Sequence, residues 1–404
     1  MTPSSPAIRP ARGGTLVLGG GFAGAYVARG LGARGATIVN PANFMLYTPL
    51  LPEAAAGSIE PRHVTVPLRT MCPHADLLLG SAVALDTDAK VAHVSSEAGS
   101  FAVGYERLVI ALGAVTHTPE HALPLKTVSD AIRLRNHVMR QIELADADPS
   151  QAERRLTFVF AGAGFAGVET LAELQDLAEG ALRHHPRLKD VRPRWIAVDS
   201  SSRILGQVPE SLARFAARTL ARRGVEVITG TALSAVQPRA VLLSDGRRIE
   251  TETVVWTVGV AANPAAARLG LPLDERGRVP VDELFRVDGL DGVFALGDIA
   301  AVPNAATGAV DPPTCQHALR QAKRLSKNLR GRIKPYAFKS LGSMATLGRR
   351  HGIAVVFGVR LRGVLGWGVA RGYHLAALPF TSRRLRVMAD WTHAAVFRRD
   401  PVAT

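Results

Sequence analysis

The chain carries two glycine-rich segments of the same type, about 140 residues apart. Each follows an apolar run typical of a β-strand and precedes an alanine- and leucine-rich run typical of a helix. In such a turn the first glycine allows a tight bend, the second lets the backbone approach a pyrophosphate, and the third allows close helix–strand packing. One copy would be a weak signal because glycine clusters also mark ordinary turns, but two copies predict two dinucleotide-binding units. The residues are Gly19, Gly21, Phe22, Ala23 and Gly24 in the first segment and Gly162, Gly164, Phe165, Ala166 and Gly167 in the second.

Length and composition indicate a globular enzyme of two or three domains. The chain has 404 residues, of which 47% are hydrophobic and 21% charged. Its two cysteines, Cys72 and Cys315, lie far apart without a Cys-x-x-Cys motif. This spacing argues against a disulfide framework, a zinc or iron–sulfur centre and a dithiol beside a flavin, so no metal site is expected. Residues 1–14 are rich in proline, serine and arginine, which predicts a disordered tail.

The net charge of +15 has three possible explanations: a surface that binds nucleic acid, a surface that binds anionic lipid, or arginines that are simply exposed to water. From Ala345 onward ten arginines oppose only two aspartates, and Trp367, Tyr373 and Trp391 lie among apolar runs. Leu385, Met388, Trp391 and Ala395 fall near helical spacing, with Arg386, Asp390 and His393 on another side. This pattern predicts a helix lying in a membrane interface, and no nucleic-acid partner is expected. The alternative is a terminal helix packed on its own domain, with its arginines solvated.

These landmarks predict an α/β protein with two Rossmann-like dinucleotide-binding domains, the second inserted in the first, and a C-terminal membrane-associating helical region. The first βαβ unit begins at Thr15 and has its second strand at Ala36–Asn40. A helix is expected over residues 125–145 and another over residues 315–329. The predicted domains are a tail (1–14), the first domain in two parts (15–125 and 269–335), the second domain (126–268) and the C-terminal region (336–404).

Several further segments carry a family resemblance over nearly the whole chain. They are residues 44–53 (FMLYTPLLPE), residues 105–113 (YERLVIALG), residues 256–264 (WTVGVAANP), the pair Gly297-Asp298 and the run Gln316-His317-Ala318. With the two glycine segments, they look like two-dinucleotide flavoprotein oxidoreductases. Within that group the chain resembles type II NADH dehydrogenases, the single-subunit NADH:quinone oxidoreductases. The resemblance implies FAD and NAD as cofactors, NADH and quinone as substrates, and docking on the membrane through the C-terminal region.

The resemblance places FAD on the first unit. Asn40 occupies the position where an acid usually binds the ribose, and an amide can still form that hydrogen bond. Asp298 resembles the aspartate that holds the ribityl or pyrophosphate region, although an aspartate there can also be a helix N-cap. The candidate FAD-binding residues outside the glycine segment are Asn40, Thr48, Pro49, Leu50, Ala111, Leu112, Gly113 and Asp298.

NADH is assigned to the second unit. Asp199 ends the apolar strand of residues 195–198, where a carboxylate can bind both ribose hydroxyls and would repel the 2′-phosphate of NADPH. Gly259 is a further candidate, at the end of another strand. Glu169 corresponds to a family position near the nicotinamide–flavin contact, where it would orient the ring or influence proton uptake. It is also a first-turn acid that complements the helix dipole.

Gln316 and His317 open a helix whose N-terminus would stabilise negative charge on reduced flavin. His317 would equally suit a helix surface. Where the family commonly has a second glutamine one turn later, this chain has Arg320 followed by Gln321. The resemblance further suggests a homodimer at the cytoplasmic side of the inner (plasma) membrane. Two alternatives stay open: a reductase with a soluble acceptor such as ferredoxin or rubredoxin, and a non-enzymatic flavoprotein resembling apoptosis-inducing factor.

Overall fold

The computed structural model describes residues 7–340, 342–397, 399–400 and 402–403. The chain divides into two compact units, each built from separate segments. The first comprises Met1–Leu46, Thr65–Val115 and Val260–Lys339, and the second comprises Tyr47–Val64, Thr116–Gly259 and Ser340–Thr404. The second unit thus interrupts the first, in keeping with the predicted insertion. Its middle segment begins and ends about ten residues earlier than predicted, and it also takes Tyr47–Val64 from the part assigned to the first domain.

A five-stranded parallel sheet forms the core of the first unit. Its central strands are apolar on both faces, as expected for a parallel sheet covered on both sides, and Leu16, Val17, Leu108 and Val109 are fully buried. The strands run in the order Val293–Ala295, Arg107–Ile110, Thr15–Leu18, Ala36–Asn40 and Ala75–Leu79. The predicted first strand–helix–strand unit is therefore confirmed.

The N-terminal segment joins a second sheet of the first unit. Ile8–Pro10 pairs in parallel with Gly99–Gly104, which is followed in the sheet by Val91–Ser96 and Ser81–Asp86. The next residues form the short helix Arg12–Gly14, where the Arg12 backbone N donates to Thr37 Oγ1 at 2.9 Å. The prediction of a disordered tail is thus wrong for residues 8–14, because a sheet edge supplies hydrogen bonds that composition does not reveal. Residues 1–6 of that tail lie outside the described residues.

The remaining elements of the first unit are short, apart from two helices that pack against each other. These two are Phe22–Leu31, after the first glycine segment, and Cys315–Leu329, as predicted. The short elements are the helices Gly32–Arg34, Leu68–Met71, Ala265–Arg268 and Gly297–Ile299, and the strand pairs Phe44–Leu46 with Thr65–Pro67, Ala114–Val115 with Ala261–Ala262, Val279–Pro280 with Ala300–Ala301, and Pro303–Asn304 with Ala309–Val310.

The second unit has its own five-stranded parallel sheet. Its strands run in the order Leu123–Pro124, Thr253–Trp256, Thr157–Ala161, Arg194–Asp199 and Val225–Thr229. Val159, Ile196, Val254 and Val241 belong to one buried cluster, which joins this sheet to the antiparallel strands Leu233–Gln237, Ala240–Leu243 and Arg248–Glu250. The α/β class with two Rossmann-like sheets is confirmed.

Helices cover this second sheet. The helix predicted at 125–145 lies at Val128–Ala147, because Thr127 and Asp130 form a capping box that fixes its start. A three-stranded antiparallel sheet, Gly342–Thr346, Gly352–Val356 and Val359–Arg362, precedes the last two helices, Gly363–Ala377 and Thr381–Val396. The other helices are Thr48–Leu50, Leu51–Ala55, Pro61–Val64, Pro149–Gln151, Ala152–Arg155, Phe165–Leu182, Pro186–Leu188 and Glu210–Arg222. Among the described residues, no helix combines the length and apolar character needed to cross a membrane.

Candidate functional site

The first glycine segment forms a strand–turn–helix connection in the first unit. Gly19 has a φ of 109°, and a Cβ there would lie 2.2 Å from the Ala111 carbonyl oxygen. A Cβ on Gly24 would lie 1.9 Å from the Gly19 oxygen, so internal packing requires both glycines. Gly21 is different: a Cβ there would meet nothing within 4 Å, and no side chain caps the helix that it precedes. The open space at Gly21 and its position at a helix N-terminus fit a pyrophosphate.

The second segment repeats this geometry in the second unit. Gly162 has a φ of 94°, and a Cβ on Gly167 would lie 1.9 Å from the Gly162 oxygen. Gly164, like Gly21, faces open space and precedes a helix without a side-chain cap. Phe165 and Ala166 open that helix, as Phe22 and Ala23 open the first. In both turns the middle glycine is the one that contacts within the protein do not explain.

The residue that ends the second strand supports each turn. Asn40 Oδ1 accepts a hydrogen bond from the Gly20 backbone N at 2.8 Å. Asp199 Oδ2 accepts one from Ala163 N at 2.7 Å, while its Oδ1 accepts from Ser201 N at 2.8 Å. Asp199 also lines a groove of about 90 Å³ with Gly162. Asn40 and Asp199 thus occupy the equivalent strand-end positions that the sequence predicted, and both lie against their glycine turns.

A hydrogen-bond network holds the segment around Gly297, in the second half of the first unit, against the helix Cys315–Leu329. Gln321, which is buried, accepts from the Gly297 backbone N at 2.8 Å and donates to Asp311 at 2.9 Å. Gly297 has a φ of 77°, and a Cβ there would lie 2.9 Å from the Cβ of Ala23. This close approach brings Asp298, in the short helix Gly297–Ile299, next to the helix of the first glycine segment.

The loop after the strand Arg107–Ile110 belongs to the same end of the sheet. Ala111 N donates to the Leu18 oxygen at 2.8 Å, and the Asn263 side chain donates to the Leu112 oxygen at 3.1 Å. Gly113 follows with a φ of 68°. Ala111 and Leu112 thus lie beside Gly19 of the first glycine turn, and contact of Ala111, Leu112 and Gly113 with FAD stays a prediction.

His317 is packed rather than exposed on the helix surface. Its Nδ1 lies 2.6 Å from Oγ1 of Thr314, the N-cap of the helix Cys315–Leu329, and its ring meets Phe338 edge-on at 5.4 Å. Gln316, its neighbour, is partly buried in the same first turn. Arg320 points outward, with its guanidinium 5.3 Å from the Phe338 ring, whereas the next residue, Gln321, takes the interior position.

Two further sets of predicted residues lie in the second unit: Gly259, which was assigned to it, and Thr48, Pro49 and Leu50, which were predicted to bind FAD. Thr48, Pro49 and Leu50 form a single helical turn there, with Leu50 buried. Gly259, with a φ of 58°, is exposed after the strand Thr253–Trp256. Their contacts with cofactors stay predictions.

Glu169 lies in the second turn of the helix that follows the second glycine segment. Its Oε1 accepts a hydrogen bond from the backbone N of Thr346 at 3.0 Å. Burial raises the pKa of Glu169 to about 8, and the nearby carboxylates of Glu53 and Glu173 act in the same direction, while the hydrogen bond from Thr346 lowers it. The carboxyl therefore holds a proton at neutral pH.

Sequence analysis missed a cluster of buried charges beside Glu169. Glu53, which is 4% exposed, accepts from Arg371 at 3.1 Å and from the indole N–H of Trp391. Burial raises the pKa of Glu53 to about 7, although Arg371 lowers it. Glu173, which is fully buried, accepts from Ser58 at 3.0 Å and from Arg399. The available signal was an acid in the apolar helix Leu51–Ala55, but nothing in the sequence pairs it with residues more than 300 positions away.

Three residues of the predicted apolar face of the last helix, Leu385, Met388 and Ala395, are exposed, whereas the fourth, Trp391, is turned inward. Trp391 points into the second unit, where it bonds to Glu53, and Asp390 lies 2.6 Å from His63 Nδ1. Leu385 and Met388, in contrast, are 57% and 44% exposed. Trp367 is likewise turned inward, with its indole N–H buried. These two tryptophans therefore pack within the second unit, and docking of the C-terminal region on a membrane stays a prediction. Leu341 and Arg398, at either end of this region, lie outside the described residues.

Comparisons with known proteins agree with this geometry. Residues 14–322 match the family model "Pyridine nucleotide-disulphide oxidoreductase". The chain is 29% identical to "Type II NADH:quinone oxidoreductase Ndh" of Mycobacterium tuberculosis, over 95% of this chain and 88% of that protein. It is 28% identical to "Internal alternative NAD(P)H-ubiquinone oxidoreductase A1, mitochondrial" of Arabidopsis thaliana, over 95% of this chain and 84% of that protein.

A solved structure shares the fold. "Structure of NDH2 from plasmodium falciparum in complex with NADH" superposes with a TM-score of 0.89 at 16% identity, covering 98% of this chain and 100% of that one. The resemblance to type II NADH dehydrogenases is thereby confirmed. By its glycine turns and by the family model that spans most of its length, the chain belongs to the pyridine nucleotide-disulphide oxidoreductase family.

Proposed function

We infer that the protein is an FAD-dependent NADH:quinone oxidoreductase that does not pump protons. The observation that carries this inference is the repeated turn in which only the middle glycine, Gly21 or Gly164, faces open space. Two such turns provide for two dinucleotides in one chain. The names of the Mycobacterium tuberculosis and Arabidopsis thaliana relatives support NADH as the donor and a quinone as the acceptor.

In the first unit the chain binds FAD, which supplies a two-electron carrier when bound. The N-terminal end of the helix Phe22–Leu31, at Gly21, would hold the pyrophosphate, and the amide of Asn40 would hydrogen-bond the ribose. Asp298, beside the helix Phe22–Leu31, binds the ribityl or pyrophosphate region. Ala111, Leu112 and Gly113 line the site, and Thr48, Pro49 and Leu50 supply the loop against the isoalloxazine.

In the second unit the chain binds NADH. Gly164 leaves room for its pyrophosphate, and Asp199 binds the ribose hydroxyls and disfavours the 2′-phosphate of NADPH. Gly259 would contact the nicotinamide half of NADH. Glu169 takes part in proton uptake, because its raised pKa keeps a proton on its carboxyl at neutral pH.

Gln316 and His317 act at the acceptor side. They open the helix Cys315–Leu329, whose N-terminal end favours negative charge nearby. Thr314 holds the His317 ring in one orientation, which suits a group that must donate a hydrogen bond repeatedly at the same place.

The protein works at the cytoplasmic side of the inner (plasma) membrane as a peripheral homodimer. Exposed apolar residues on the last helix, Leu385 and Met388, together with the arginines around them, support docking on anionic lipid.

The decisive experiment uses the purified full chain. We expect a yellow protein with one FAD per chain that reduces a short-chain quinone with NADH, measured by loss of NADH absorbance under anaerobic conditions. Reduction of a ferredoxin but not of the quinone would assign the chain to a soluble acceptor. A folded, colourless protein that takes up no added FAD would refute the flavoprotein assignment.

A further inference from the structure

The second unit contains a cavity of about 560 Å³ that the proposed function does not use. It lies between the helix Phe165–Leu182, the turn at Arg349 and Arg350, and the last two helices. Its walls combine arginines with two indole rings, in a chain whose overall charge is strongly positive. The charged and aromatic lining residues are Arg183, Arg349, Arg350, Arg371, Arg399, Asp176, Glu179, Trp367 and Trp391.

The inner part of the cavity is neutralised and rigid. The guanidinium of Arg371 lies between two rings, 4.5 Å from the centroid of Trp367 and 4.6 Å from that of Trp391. It also forms an ion pair with Glu53. Arg399 forms ion pairs with Glu173 and Asp176. Arg371 and Arg399 are therefore already paired with carboxylates of the second unit, and Arg371 also packs between the indole rings of Trp367 and Trp391.

The outer part of the cavity, here called the mouth, carries uncompensated positive charge. Arg183, Arg349 and Arg350 are exposed there, and no ion pair among the described residues includes any of them. The Arg349 side chain donates to the carbonyl oxygen of Ala395, which supplies no formal charge. Among the described lining residues the nearby carboxylates are Asp176, which is already paired with Arg223 and Arg399 and accepts from the Arg349 backbone N, and Glu179, so three arginines face one acid that forms no ion pair. A bound anion would relieve their mutual repulsion.

Apolar side chains border the mouth. Val396 and Phe397 directly follow the lining residue Ala395 and are 66% and 72% exposed. Val364 lies one helical turn before Trp367 and is 60% exposed. A ligand that matches this site therefore has an anionic group, for the arginines of the mouth, next to an apolar group, for the side chains at its border. Arginine forks match the geometry of phosphate oxygens, and a phospholipid carries its phosphate next to acyl chains.

We propose that the cavity binds a phosphate ester through Arg183, Arg349 and Arg350, and that its source is the headgroup of an anionic phospholipid. The site differs from the dinucleotide turns at Gly21 and Gly164. It seats one lipid against the second unit, in addition to any diffuse attraction between the basic surface and the membrane.

The test compares two double variants of the full-length flavoprotein that lose the same charge. Arg183→Gln with Arg350→Gln changes the mouth, whereas Arg192→Gln with Arg222→Gln changes exposed arginines of the second unit outside the cavity. Binding is measured by co-sedimentation with phosphatidylcholine vesicles that contain or lack phosphatidylglycerol. We expect the mouth variant to bind phosphatidylglycerol vesicles at least about tenfold more weakly than the unmodified protein, and the matched variant to stay within about twofold.

Equal losses in both variants would mean that only diffuse charge acts, and would overturn the site. An unchanged mouth variant would overturn it as well. Calorimetry with glycerol 3-phosphate separates the two sources of phosphate. Micromolar binding that the mouth variant loses, without any effect on vesicles, would show a soluble phosphate ester as the ligand and refute the lipid headgroup. Thermal unfolding of both variants within about 2 °C of the unmodified protein checks that the fold is retained.

Discussion

Asn40 Oδ1 accepts a hydrogen bond from the backbone N of Gly20, which lies between Gly19 and Gly21 in the first turn. Asp199 Oδ2 makes the same contact with Ala163 in the second turn. The two strand-end side chains thus support the glycine turns in the same way, and only one of them is charged. An amide is sufficient to hold the turn, so the carboxylate of Asp199 is free to determine which nucleotide is accepted.

We predict that Asp199→Asn narrows the preference for NADH over NADPH. The amide oxygen keeps the hydrogen bond from Ala163, as Asn40 does for Gly20, and the substitution gives up the bond from Ser201 while removing the charge that repels a 2′-phosphate. The ratio of kcat/KM for the two nucleotides should fall by about tenfold, which corresponds to about 1.4 kcal/mol. Equal kcat/KM for both nucleotides in the unmodified protein would show that Asp199 is not the selector.

Substitution of the two middle glycines, Gly21 and Gly164, should affect the FAD site and the NADH site separately. Gly21→Ala is predicted to weaken FAD retention by at least about tenfold, because the new methyl group fills the space for the pyrophosphate. It should change the free energy of unfolding of the apoprotein by less than about 1 kcal/mol, since nothing in the protein lies within 4 Å of that methyl group. Gly164→Ala is the matched control: it should raise the KM for NADH and leave the FAD content intact. Equal FAD loss in both variants would contradict this assignment.

Glu169→Gln should change how stability depends on pH. Because burial raises the folded pKa from 4.5 to about 8, the folded state holds a proton that the unfolded state has released between these values. Stability therefore falls as pH rises through this window, and the cost is complete above about pH 8. Glutamine removes this cost and can still accept from Thr346. The difference in melting temperature between the variant and the unmodified protein should therefore be more positive at pH 9 than at pH 5. A fluorescence melting assay measures both temperatures. Glu179→Gln, an exposed position on the same helix, should show no such difference.

Truncation after Arg383 should destabilise the protein. It removes Trp391 and Arg399, the partners of the buried Glu53 and Glu173. Removing one partner of a buried ion pair costs about 3–5 kcal/mol, so the melting temperature should fall by at least about 5 °C. A chain that ends after Asp400 keeps both partners and serves as the control. Identical melting temperatures for the two chains would refute the role of these contacts.

Membrane docking is better tested by substitution than by truncation. Leu385→Ser with Met388→Ser changes two exposed residues of the last helix and spares the buried Val387. We expect weaker binding to anionic vesicles in co-sedimentation, with thermal stability retained. Binding of the unmodified protein should also decrease as salt rises, since the Debye length shrinks from about 30 Å at 0.01 M to about 8 Å at 0.15 M. A full chain that ignores anionic vesicles at low salt would contradict peripheral docking.

The features that the sequence predicted well are local. The glycine turns, the strand Ala36–Asn40 and the helix Cys315–Leu329 follow from residues close together in the chain, whose periodicity and backbone demands can be read directly. The interior role of Gln321 was not foreseen, because it depends on a contact with Gly297, 24 residues away in the sequence.

The contacts that the sequence did not predict are distant ones. Glu53 meets Arg371 and Trp391, more than 300 residues further along the chain, and no periodicity connects them. The inward orientation of Trp391 in the helix Thr381–Val396 was not predicted, for the same reason. Trp391 counts as an apolar residue in a helical pattern, but its N–H has a buried carboxylate as partner, which turns that side of the helix inward.

The pairing of Glu53 and Glu173 with residues near the C-terminus has a consequence for biosynthesis. Glu53 is translated 318 residues before Arg371, and Glu173 is translated 226 residues before Arg399. The second unit therefore cannot complete its interior until these later residues have left the ribosome, and its buried acids stay without partners until then. During that interval the nascent chain is exposed to aggregation and to chaperones.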